Sequence, residues 1–94
     1  MIFESDKTMF EIYREGDFNK KFRVVYFTEL DEHNKESEIN HALLGDPVFS
    51  GFLKDDSKAQ GRLVIDEIIK QMNEKGEAYT EEEITSRLGS FLAN

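Results

Sequence analysis

The spacing of apolar positions changes near Leu30, from every second residue before it to every third or fourth after it. Residues 8–15, Thr-Met-Phe-Glu-Ile-Tyr-Arg-Glu, place Phe10 and Ile12 on one face and Met9, Glu11 and Tyr13 on the other. That is the period-two pattern of a half-buried strand. Residues 21–29 are richer in β-branched and aromatic types, with Phe22, Val24 and Tyr26 on one face and Val25 and Phe27 on the other. Apolar residues on both sides predict a strand covered on both sides. Between the two runs, Glu15-Gly16-Asp17-Phe18-Asn19 supplies the residues a hairpin turn requires. Setting Ile12 opposite Phe22 and Phe10 opposite Val24 collects one apolar face. A slip of one residue would set Phe10 and Ile12 beside Lys21, Arg23 and Val25. A two-stranded hairpin is marginal in water, so a third strand from Ile2-Phe3, a helical cover or a partner chain is expected to complete it.

Beyond Leu30 the period is helical. Asp31 or Asn34 can cap a helix over 31–44 whose apolar positions are Ile39, Ala42 and Leu43, and Gly45 with Pro47 stops it. Ser57-Lys58-Ala59-Gln60 reads as a capping box opening a second helix over 58–75. Its stripe of Leu63, Val64, Ile65, Ile68, Ile69 and Met72 is wide enough to face a core, and Gly76 ends it. Gly61 inside this helix costs about 1 kcal/mol against alanine, which calls for a close approach there or a frayed first turn. Thr80-Glu81-Glu82-Glu83 is a further capping box, ahead of Ile84, Leu88, Phe91 and Leu92 on one helical face. The carboxyl groups at its start are accounted for by the positive end of the helix dipole. The fold class predicted is α+β: a small antiparallel β-hairpin or three-stranded sheet followed by three α-helices, in the order ββααα. One such domain over residues 1–94 fits the length, since no proline-rich or low-complexity linker interrupts the chain.

Charge sharpens this picture. Twelve basic against twenty acidic side chains give a net charge of -8. Residues 31–56 hold two basic and seven acidic groups, the most uneven stretch of the chain. Nucleic-acid binding requires clustered Lys and Arg to release counterions from phosphates, so this balance excludes it as an expectation. The one basic cluster, Lys20-Lys21-Phe22-Arg23, presents at most two charges on a strand face and reads as a guard on a sheet edge. The chain has no cysteine, hence no disulfide, thiol nucleophile or thiolate metal site, which suits a reducing compartment. The first residues, Met1-Ile2-Phe3-Glu4-Ser5-Asp6, lack the basic and apolar regions of a signal peptide, and no apolar run reaches membrane length. The expectation is a cytoplasmic, soluble protein without a membrane partner or a cofactor.

Candidate chemistry is sparse. Gly45 and Gly51 are too far apart for a phosphate loop, and Phe49-Ser50-Gly51 lacks the first glycine of a nucleophile elbow. Glu29, His33 and His41 would fall on one face of a continuous helix at spacings of four and eight, which offers a histidine and carboxylate metal site supporting hydrolysis. The spacing matches no tight zinc motif, and His41 near a helix C-terminus is accounted for by the dipole alone. Within Asp46-Pro47-Val48-Phe49-Ser50-Gly51-Phe52-Leu53-Lys54-Asp55-Asp56, Phe49 and Phe52 form either an exposed aromatic anchor with an acidic rim or a helical turn plugging the core. The plug is the expectation for so small a domain. By exclusion, the sequence reads as a small intracellular protein-binding or regulatory module acting through an acidic surface. Candidate binding residues are Asp31, Glu32, Glu36, Glu38, Phe49 and Phe52. The alternatives are the metal site and an acidic mimic of nucleic acid that blocks a basic groove. A homodimer covering the hairpin is a further expectation.

Overall fold

The computed structural model describes residues 7–15, 21–27 and 30–93. Four antiparallel strands, β1 (Lys7–Glu15), β2 (Lys21–Phe27), β3 (Phe49–Lys54) and β4 (Leu92–Ala93), form one sheet in the order β2-β1-β3-β4. Helix α1 (Leu30–Leu44) connects β2 to β3, and α2 (Lys58–Lys75) and α3 (Glu81–Leu88) follow β3. The α+β class stands, but the order ββααα is corrected. Within the segment 46–56, where a helical turn was predicted, Phe49–Lys54 is an extended strand, and a short fourth strand ends the described chain.

The reason lies in Gly51. Phe49, Gly51 and Leu53 share a face, and the glycine at the middle position hides the alternation from a hydrophobicity pattern. Its missing side chain is what the packing needs. A Cβ there would lie 3.2 Å from the Phe10 ring and 3.3 Å from the Phe49 ring. These two rings stack with centroids 5.8 Å apart. Phe49 is thus buried, while Phe52, on the opposite face, is only partly so. The expected plug of two inward phenylalanines becomes one core ring and one half-buried ring.

The hairpin keeps its predicted faces at a different register. Ile12 pairs with Val24 and Phe10 with Tyr26, two residues from the expected partners. A shift of two leaves every side chain on its own face, so the hydrophobic pattern does not choose between these registers. The predicted turn residues Gly16-Asp17-Phe18-Asn19 lie outside the described residues, as do Ile2 and Phe3. The place beside β1 is taken by β3, whose Phe49 pairs with Ile12. Consequently β1 is the strand covered on both sides, with Thr8, Phe10, Glu11, Ile12 and Tyr13 all buried. The stronger-looking β2 is an edge strand, and Val24, Val25 and Tyr26 are half-buried. The Asn73 side chain guards that edge. Its Oδ1 accepts from the Phe22 backbone N–H at 2.6 Å and its Nδ2 donates to the Phe22 carbonyl at 3.1 Å, as a neighbouring strand would.

One sheet face carries the apolar core. Phe10, Ile12, Phe22, Phe49 and Leu53 meet Ile65, Ile68 and Met72 of α2 and Ile84 and Leu88 of α3. Helix α2 has the predicted limits but a narrower stripe, since Leu63 is 70% exposed. The Ser57 hydroxyl makes no cap; a 3-10 turn over Asp55–Ser57 leads into the helix instead. Gly61 has its close approach, for a Cβ would meet Leu53 Cδ2 at 2.7 Å. Gly76 closes α2 at φ 75°, donating to the Met72 carbonyl at 2.8 Å. The Thr80 capping box of α3 forms as spaced, with Glu83 N–H to Thr80 Oγ1 at 3.1 Å and Thr80 N–H to Glu83 Oε1 at 3.0 Å. These bonds hold the Glu83 carboxyl below the usual glutamate range. Phe91 and Leu92 leave the helical face assigned to them, because α3 stops at Leu88 and the chain turns through Gly89 into β4.

Candidate functional site under and over helix α1

The other sheet face is polar where α1 crosses it. Glu11 and Tyr13 project from β1 and Arg23 from β2, with Arg23 paired to Tyr13 in the ladder. Glu11 is 3% exposed and Tyr13 is fully buried. Burying such groups requires partners, and they have them. The Tyr13 hydroxyl donates to Glu11 Oε1 at 2.7 Å. From α1, the Ser37 hydroxyl reaches Glu11 Oε2 at 3.4 Å, and Asn40 Oδ1 accepts from Arg23 Nη2 at 3.0 Å. Arg23 Nη1 also lies 3.9 Å from Glu15. The His41 ring meets the Tyr13 ring edge-on, with centroids 6.2 Å apart. Burial first, and then the bond to Glu11, raises the Tyr13 phenol from 10 to about 12.

Helix α1 therefore packs with its polar side inward. Ser37 and Asn40 are three apart on the inner face, and Asn40 is buried at 7% exposure. Ile39 and Leu43, two of the apolar positions of the predicted helix, are 58% and 76% exposed. They lie four apart on the outer face, one turn from each other. The exposed Lys35, Glu36 and Glu38 surround this ridge. At the end of the helix, Gly45 at φ 83° donates to the His41 carbonyl at 3.0 Å. His41 Nδ1 lies 3.3 Å from Asp46, whose carboxyl is in solvent.

The sequence candidates scatter. Glu36 and Glu38 are exposed on α1, whereas Phe49 and Phe52 belong to β3. Asp31, Glu32, Asn34 and His33 fall within α1, but their side chains lie outside the described residues, and Glu29 lies outside them altogether. Among the described residues, no three His, Asp or Glu side chains are grouped as metal ligands. No described helix is long and apolar enough to cross a membrane. The cluster of Glu11, Tyr13, Arg23, Ser37 and Asn40 was not singled out by sequence reasoning. Its signal was present: an acidic residue in mid-strand beside Met9 and Tyr13, and two short polar residues three apart in a helix.

Between α2 and α3 lies an open groove of about 370 Å³ lined by Leu63, Val64, Glu67, Ile68, Gln71 and Arg87. At its end the Arg87 guanidinium stacks on Tyr79, 4.2 Å from the ring centroid. The chain matches no family model, no curated protein and no solved structure.

Proposed function

We propose that the chain is an intracellular protein-binding module that docks through the outer face of α1. The observation that carries this reading is the exposure of Ile39 and Leu43, one turn apart on a helix whose inner face is polar. Large apolar side chains exposed together and rimmed by polar residues mark interaction surfaces. The rim, Lys35 with two acidic residues, supports a reading of the partner's chemistry. Glu36 and Glu38 flank the ridge in a chain of net charge -8, which favours a surface with two adjacent apolar pockets and Lys or Arg around them. A second copy would bring two acidic faces together, so the expected partner is a different, basic protein. The intracellular assignment rests on a composition that needs no oxidising compartment.

The test is capture from native lysate on immobilised protein, comparing the natural chain with Ile39→Ala/Leu43→Ala. The reading predicts a protein retained by the natural chain, released by high salt and lost with the double variant although that variant remains folded. Equal retention by both chains would overturn it. Release of a nucleic-acid-binding protein by added duplex DNA would reassign the surface as a nucleic-acid mimic.

A further inference from the structure

We propose that the outer edge of β2 pairs with β2 of a second copy of the chain, joining two sheets into one across a two-fold axis. The alternation of ladder bonds shows which backbone groups are available. Both backbone groups of Phe22 face outward to Asn73, so Phe22 and its ladder neighbour Arg14 do not exchange bonds. Alternation then turns the N–H and carbonyl of Val24 and Tyr26 outward as well, while those of Arg23 and Val25 turn to β1. Among the described residues, no backbone or side-chain group bonds to the outward groups of Val24 and Tyr26. Val24, Val25 and Tyr26 are half-buried, and the edge is held at both ends. Asn73 holds it at Phe22, and the Arg62 guanidinium stacks on Tyr26, 4.3 Å from the ring centroid. At the other edge of the sheet, β4 already pairs with Phe52 and Leu53.

Register selects a second copy as the occupant. An antiparallel pair of β2 strands centred on Val25 sets Val24 of each copy against Tyr26 of the other, so every outward group of these residues meets a donor or an acceptor. Pairing ends where Asn73 already occupies Phe22, and nothing is displaced. A pair centred on Val24 would require the Asn73 side chains of both copies to leave. The side chains agree with this register. Val25 meets Val25 of the second copy, and Val24 lies beside Tyr26, a favourable β-branched and aromatic pairing. Arg23, expected to guard the edge, falls opposite Phe27 and not opposite another cation. Its guanidinium is drawn back to Asn40, with Glu15 3.9 Å away. The contact uses the same patch on both chains and closes at a dimer. A small interface between chains of net charge -8 makes that dimer weak, and salt tightens it by screening the repulsion. The inference concerns the sheet edge and does not depend on the ridge of α1 having a partner.

Sedimentation equilibrium and amide exchange on the full chain test it, with no ligand required. The average mass should rise from one chain toward two with concentration, and further at high salt. Over the same range the Val24 and Tyr26 amides should slow roughly 4-fold when about three-quarters of the chains are paired, because exchange is confined to the remaining monomer. The Arg23 and Val25 amides, bonded to β1 in both states, should not change. Val24→Pro removes an outward donor at an edge position, where proline leaves the ladder to β1 intact, and should remain a folded single chain. A single chain at every concentration would overturn the proposal, whether or not a foreign extended peptide protects the same amides. So would a dimer in which Val24 and Tyr26 exchange unchanged, or one that Val24→Pro forms as readily as the natural chain.

Discussion

The two faces of the sheet are built on opposite rules. Under α2 and α3, apolar strand positions meet apolar helix positions, and ten buried side chains form one cluster. Under α1, the same central strand turns Glu11 and Tyr13 toward Ser37, Asn40 and Arg23, and the helix keeps its isoleucine and a leucine in solvent. One face is closed by apolar side chains alone, whereas the other buries the Tyr13 ring and Phe27 beside a network of polar bonds. The first face accounts for stability.

Breaking the apolar face should have the largest effect. Phe10 is fully buried, and it packs against Phe49 at 5.8 Å and Tyr26 at 6.4 Å. Phe10→Ala should cost about 3–5 kcal/mol in urea unfolding. A loss below ~1 kcal/mol would mean that the core lies elsewhere.

The polar face should respond more weakly. Tyr13→Phe removes the hydroxyl from Glu11 and should cost about 1–2 kcal/mol, since a buried acceptor loses its shortest bond. The natural chain should also weaken in alkali. The folded Tyr13 phenol is raised above the ordinary value of 10 to about 12, so its contribution is complete below pH 10 and disappears as pH rises toward 12. Stability measured from pH 8 to 12 should fall over this interval, and less steeply in Tyr13→Phe. An identical profile in the two proteins would remove Glu11 and Tyr13 from the account of how this face is held.

The difference between the faces also explains which features the sequence disclosed. Helix α2 was legible to the residue because Ile65, Ile68 and Met72 keep a helical period and Gly76 supplies the left-handed stop. The Thr80 box was legible because both of its hydrogen bonds are local. β3 was not, since Gly51 replaces the apolar residue that alternation requires, and the meaning of that glycine depends on rings from β1. β1 looked half-buried for a related reason: Glu11 reads as solvent-facing until α1 is laid over it. The orientation of α1 was not legible, because Ile39 and Leu43 keep a helical spacing and nothing in a period distinguishes an inner stripe from an outer one. The acidic character of that region was plain in the sequence, whereas the polar bonds beneath it join residues 17 and 26 positions apart.

The smallest predicted effect is the most direct test of the central claim, that Ile39 and Leu43 belong to a surface and not to the core. Urea unfolding of Ile39→Ala/Leu43→Ala should give a stability within about 0.5 kcal/mol of the natural chain, as for substitutions at exposed sites. A loss of about 2 kcal/mol or more, the scale of emptied core positions, would place these side chains inside the folded protein and contradict the account.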